Sequence, residues 1–180
     1  PFANHATSNA CCAFDIILKR CIQSGDAANL KYGLNARPDA EDRRSVVTFV
    51  DNHDMGASPY SPANGWGQQC WPCAPSFKSK AYAYILTMPG TPCVYWPDMF
   101  DWGHEKEISA LIALRKKAGI ISSSGWNDLT GEHTGFAGIV LDEEGKDALA
   151  VSIGSDYEGP GKGWTTGYEN PGEYTVWIKK

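Results

Sequence analysis

At 180 residues, with a formal net charge of −5 and with Trp, Tyr and Phe together making up 12% of the chain, the sequence has apolar material for one sizeable core or two modest ones. No apolar run is long enough to span a membrane, and Lys and Arg are scattered in short pairs instead of gathering on one face, which argues against a nucleic-acid partner. A neutral ligand fits better, since flat rings with polar tips suit sugar faces as well as they suit cores.

The opening Pro1-Phe2-Ala3-Asn4-His5 has neither the basic start nor the apolar core of a secretory signal, and reads as a matured product or a segment of a longer chain. Six cysteines are too few for a disulfide scaffold of this size and more than most cytosolic enzymes expose, which leans towards secretion. From Ala10 to Ile22 two readings stand side by side. Phe14, Ile17, Leu18 and Cys21 fit helical spacing, while Cys12-Ala13-Phe14 fits the end of a short strand followed by a helix capped by Asp15. Residues 23–39 read as connection, with a turn at Arg37-Pro38-Asp39.

The run Val46-Val47-Thr48-Phe49-Val50 then ends abruptly in Asp51-Asn52-His53-Asp54. A β-branched apolar run is what a strand buried on both faces looks like, and polar side chains at its carboxyl end stand where an α/β barrel keeps its chemistry. Asp54 is the catalytic candidate on that ground; Asp51 reads as a buried or capping carboxylate. Residues 55–75 are rich in Gly, Pro, Ser, Asn and Gln and carry Trp66 and Trp71. A loop of that length is functional or disordered, and its tryptophans fit core packing and sugar stacking equally well.

A helix with Phe77, Ala81, Tyr84, Ile85 and Met88 on one stripe should stop at Pro89-Gly90, and Cys93-Val94-Tyr95-Trp96 should form a short strand closed by Pro97, with Cys93 buried in it. Asp101 is expected to cap the next helix. That helix has Glu105 and Glu107 near its start, Ile108, Leu111 and Ile112 inward, and Arg115-Lys116-Lys117 as its solvated end before Gly119. Strand and helix alternate to this point, as in a parallel α/β sheet. Beyond it, strands over 136–141 and 148–153 flank the polar turn 142–147, a Gly-rich loop runs over 154–172, and 173–179 alternates as a last strand, a small antiparallel domain with its boundary near Gly119. Cys70-Trp71-Pro72-Cys73 has the two-residue gap of redox and zinc motifs. A disulfide, local or to Cys11 or Cys12, is favoured over a zinc site, which would need Cys11, Cys12 or His104 as further ligands.

Phe49-Val50-Asp51-Asn52-His53-Asp54 resembles the fourth sequence signature of the α-amylase family, and the likeness runs on through Ala81-Tyr82-Ala83-Tyr84-Ile85-Leu86-Thr87, Pro89-Gly90-Thr91-Pro92-Cys93-Val94-Tyr95, Phe100-Asp101-Trp102-Gly103 and Ile112-Ala113-Leu114-Arg115-Lys116. Cys12-Ala13-Phe14-Asp15 with Leu18-Lys19 is similar to that family's sixth barrel strand and its helix, and Val151-Ser152-Ile153-Gly154-Ser155 with Tyr174-Thr175-Val176-Trp177 to its C-terminal sheet domain. Plant and maltotetraose-forming members match best. The resemblance implies an α/β chain: residues 1–118 as strands six to eight of a (β/α)8 barrel and 119–180 as the antiparallel β domain.

It further implies a retaining hydrolase of α-1,4-glucosidic bonds in starch or glycogen, present here without the nucleophile and general acid, which such members carry after strands four and five. This stretch alone is therefore expected to be inactive and to need its missing N-terminal barrel half. Asp54 would be the third, transition-state-supporting carboxylate, His53 would bind the same sugar, and Trp66 and Trp71 would line the substrate loop. Asn52 is given a structural role, because the arginines of a chloride site are not found. Calcium would belong to the longer parent, with no metal ligand assigned in this stretch, and secretion or a plastid would be the location. The rival readings are a glucan-binding protein that does not cut, and a glucan transferase of the same superfamily.

Overall fold

The computed structural model describes residues 12–53 and 72–180. Of the two readings for the first segment, strand then helix is the one adopted: β1 (Ala13–Phe14) leads into α1 (Ile16–Gln23). Asp15 is the reason. One of its carboxylate oxygens accepts the Leu18 N–H at 2.8 Å as the helix cap, and the other accepts the Asn35 N–H at 2.9 Å, so a single buried side chain starts the helix and fixes the connection behind it. That connection is two 3-10 turns, Ala27–Tyr32 and Leu34–Ala36, followed by the short α2 (Ala40–Arg44), for which Asp39 is the cap.

The β-branched run forms β2 (Val46–Phe49), and after α3 (Pro75–Thr87) the chain returns as β3 (Thr91–Cys93). The three strands make a parallel sheet in the order β1-β2-β3, with Ala13 opposite Val46 and Phe49 opposite Cys93. Each crossover carries helix, as parallel neighbours require. The expected stripe on α3 is widened: Phe77, Lys78 and every residue from Ala81 to Thr87 are buried, because the helix lies between the parallel sheet and the second sheet. Pro75 sits in its first turn, where a missing N–H is harmless.

Three local expectations are corrected. The third strand ends at Cys93, and Trp96–Phe100 is a short helix, α4, with Pro97 in its first turn instead of closing a strand. Asp101 ends α4 as its C-cap residue and does not cap the next helix; Gly103 (φ 87°) turns the chain, and α5 (Glu105–Lys117) starts after His104. Cys93 is exposed, since β3 is an outer strand of its sheet. The end of α5 follows the sequence closely. Gly119 (φ 65°) donates to Lys116 O and Ile120 to Arg115 O, a paired closure that only a left-handed residue at position 119 permits.

The second sheet is antiparallel and five-stranded, in the order β4-β5-β6-β8-β7, built from β4 (Trp126–Asp128), β5 (Phe136–Leu141), β6 (Asp147–Ile153), β7 (Trp164–Asn170) and β8 (Tyr174–Lys179). The 142–146 turn joins β5 to β6, with the Asp142 carboxylate accepting the Glu144 and Lys146 N–H groups at 2.9 Å each. β7 lies inside the segment expected to be all loop. As an outer strand that is exposed at Thr165, Thr166, Gly167 and Glu169, it carries no burial pattern to betray it. Leu149, Val151, Ile153 and Val176 join Phe77, Ala81, Tyr84, Ile85, Ile108 and Leu111 in one apolar cluster, so the helices share their core with the antiparallel sheet. Glu107 adds a polar tie, accepting from Ser79, Asn170 and Tyr174 and meeting His104 Nδ1 at 3.1 Å.

Candidate active site

β2 delivers the signature residues to the carboxyl end of the parallel sheet. Asp51 is buried, Asn52 half-buried and His53 exposed. Of the catalytic and substrate-binding candidates, only His53 lies within the described residues; Asp54, Trp66 and Trp71 lie outside them, as do Cys11 and Cys70.

Asp51, expected from the sequence as a buried or capping carboxylate, is part of a chain of buried charges whose other members the sequence reading passed over. Lys19 of α1 donates to the Val50 carbonyl at 2.7 Å and to Asp51 Oδ1 at 2.6 Å. Lys78 of α3 reaches Asp51 Oδ2 at 3.0 Å and Asp98 Oδ1 at 2.5 Å, and the Tyr82 hydroxyl donates to Asp98 Oδ2 at 2.6 Å. The Lys78 ammonium also lies 5.0 Å from the centre of the Trp102 ring, a cation–π distance. The side chains of Lys19 and Asp98 have no exposed surface, and those of Asp51 and Lys78 keep 7% and 8%. Two ammonium groups and two carboxylates alternate, so the cluster is neutral and each charge has a partner.

Burial works against the Lys78 charge, yet the hydrogen bond to Asp98 and the charges of Asp51 and Asp98 outweigh it and hold the ammonium above its ordinary pKa. Burial, reinforced by the Asp98 charge, pushes the Tyr82 phenol well up, so it stays a donor. A signal for this cluster was present: Lys78 and Tyr82 are four apart on a helix whose other inward residues are apolar, and a Lys on such a face needs a buried partner.

Asp51 does more than pair with lysines, because its two oxygens also accept the Cys73 N–H at 3.0 and 3.2 Å. Cys70 and Cys11, two of the partners considered for a disulfide with Cys73, lie outside the described residues. The Cys73 thiol is free and buried, with Sγ turned to the Ala74 carbonyl at 3.6 Å, and burial followed by the Asp51 charge pushes it up to about 12, which leaves it protonated and unreactive. Cys12, Cys21 and Cys93 are free thiols as well. Among the described residues no three His, Cys, Asp or Glu side chains converge as metal ligands.

Arg115 is the other correction. Lys116 and Lys117 are solvated as expected, but the Arg115 guanidinium turns inward and donates to the carbonyls of Met88 at 2.6 Å and Gly90 at 2.9 Å. It satisfies the backbone just past the end of α3 and aligns the entry to β3. Burial lowers its pKa to about 10.

No family model matches the chain. Similar proteins do. A glucan 1,4-alpha-maltotetraohydrolase of Roseateles saccharophilus is 43% identical over 153 residues, covering 84% of this chain and 26% of that protein. An alpha-amylase type B isozyme of Hordeum vulgare is 35% identical over 137 residues, 74% of this chain and 80% of the relative. The chain belongs to the α-amylase family. A further family member, the chloroplastic alpha-amylase 3 of Arabidopsis thaliana, is 31% identical across 96% of this chain and 19% of its own length. The chain thus spans about a quarter of the maltotetraohydrolase and about a fifth of the chloroplastic amylase. As an α-amylase-family sequence it comprises a short parallel sheet and a five-stranded antiparallel sheet.

Proposed function

We propose that this stretch supplies the last three strand–helix units of a (β/α)8 barrel, with the antiparallel domain beginning near Gly119, in an α-amylase that hydrolyses α-1,4-glucosidic bonds of starch or glycogen with retention. The observation that carries this reading is the sequential parallel order of β1, β2 and β3 with the His53-bearing turn at the carboxyl end of the middle strand, which is where barrel enzymes keep their chemistry. Family membership supports the substrate class.

In this reading Asp54 hydrogen-bonds sugar hydroxyls at the cleaved subsite. It acts on the rate of chemistry, because its bonds strengthen as positive charge develops on the sugar. His53 hydrogen-bonds the same sugar, and Trp66 and Trp71 line the glucan path. The nucleophile and the general acid, which retaining cleavage requires as a carboxyl pair, stand on strands outside this stretch. Those strands would cover the sides of the parallel sheet where Phe14, Ile16, Trp96 and Phe100 are now exposed. The family's calcium finds no ligand set among the described residues, and no step is assigned to it. Secretion or a plastid is the proposed location; the chloroplastic relative supports the second.

Two assays test this. Residues 1–180 alone should release no reducing sugar from soluble starch, and turnover above a buffer control contradicts the assignment of the missing carboxylates. The complete polypeptide should release α-anomeric maltooligosaccharides, followed by NMR before mutarotation; β-anomeric products, or glucan binding without hydrolysis, overturn the proposal.

A further inference from the structure

We propose that Asp51 is a positioning residue for His53, setting the direction in which the chain leaves β2; the claim rests on the glucan hydrolysis proposed above. Four contacts converge on this carboxylate from three parts of the chain. Lys19 holds Asp51 and the Val50 carbonyl with a single ammonium, so two consecutive residues are tied to α1 at 2.6 and 2.7 Å. Lys78 ties the same carboxylate to α3, and through Asp98 to α4 behind β3. The Cys73 N–H, 22 residues further along the chain, binds both oxygens. Asp51 is thereby fixed against both flanking helices two residues before His53.

Stability alone does not account for four charges here. A buried ion cluster is commonly replaceable by apolar side chains of similar volume at no loss of stability. What ions and their hydrogen bonds add is direction, since each fixes an angle as well as a distance. Displacing a substrate-binding group by about 1 Å costs on the order of 100-fold in rate.

Asp98 supplies the control. It is as deeply buried as Asp51 and pairs with the same Lys78, but its carboxylate is held by Lys78 and Tyr82, neither of which lies in residues 50–53. In the complete polypeptide, Asp51→Asn should lower kcat on maltoheptaose about 100-fold with KM changed less than about threefold. Asp98→Asn should cost comparable melting temperature and far less kcat. Loss of kcat in proportion to lost melting temperature in both variants overturns the proposal, as does an Asp51→Asn enzyme with wild-type kcat.

A second readout does not depend on turnover. The imidazole resonances of His53 should move in Asp51→Asn while those of His133 stay in place, and Asp98→Asn should move His53 little. If the wild-type polypeptide cleaves no α-1,4-glucan, the functional proposal falls and this spectral comparison decides the positioning claim by itself. An unmoved His53 in Asp51→Asn refutes it.

Discussion

The parallel sheet has strands of two, four and three residues and keeps Lys19, Asp51, Lys78 and Asp98 buried at its carboxyl end, whereas β5, β6 and β8 of the antiparallel sheet run six, seven and six residues around Leu149, Val151, Ile153 and Val176. The first region has short strands and ties the residue just past β2 with paired charges. The second is held by apolar side chains and needs no ion pair inside. Their difference teaches that the end of β2 is organised for geometry, and the antiparallel sheet for burial.

The largest effect should come from the ionic region. Lys78→Met leaves Asp98 without its ammonium and Asp51 with Lys19 and the Cys73 N–H, and should cost about 3–5 kcal/mol by urea denaturation; a loss under about 1 kcal/mol would break the distinction between the regions. Leu149→Ala, in the antiparallel core, should cost about 2–4 kcal/mol through the cavity it leaves. It should leave kcat of the complete polypeptide unchanged, whereas a rate loss would show that the two regions are coupled at the level of chemistry.

How far the sequence revealed each region follows the same division. The polar turn at 142–147 made β5 and β6 legible, alternation made β8 legible, and the β-branched run made β2 legible. β7 was hidden by its exposure, and β4 is three residues long. Asp15 and Gly119 were readable because caps act within a few residues of themselves. The ion cluster left only a partial signal, Lys78 and Tyr82 on an otherwise apolar helix face, since Lys19, Asp51, Lys78 and Asp98 are brought together across 79 residues of chain by the packing of α1, α3 and α4 on the sheet. Arg115 was misread for the same reason: its partners lie 25 to 29 residues back.

Glu107 joins the two regions and predicts a smaller, pH-dependent effect. Burial alone would raise its pKa, but the hydrogen bonds from His104, Tyr174, Ser79 and Asn170 outweigh it and hold the carboxyl below its ordinary 4.5. A depressed folded-state pKa stabilises the protein above the unfolded value, and that contribution is lost as pH falls through the folded value. Wild type should therefore exceed Glu107→Gln by about 1–2 kcal/mol at neutral pH, with the margin closing as the pH drops below 4.5. A margin that grows on acidification contradicts this account of the junction. Smallest of all, Lys146→Ala should not measurably change the urea midpoint, because the Lys146–Glu144 pair is 71% exposed on both sides.

The central claim is that the residues following β2 belong to a glucan-cleaving site, and kcat of the Asp54→Asn complete polypeptide on maltoheptaose tests it most directly. The account predicts a fall of about 10²–10³-fold, with the melting temperature close to that of wild type. A variant that hydrolyses maltoheptaose at the wild-type rate would contradict it.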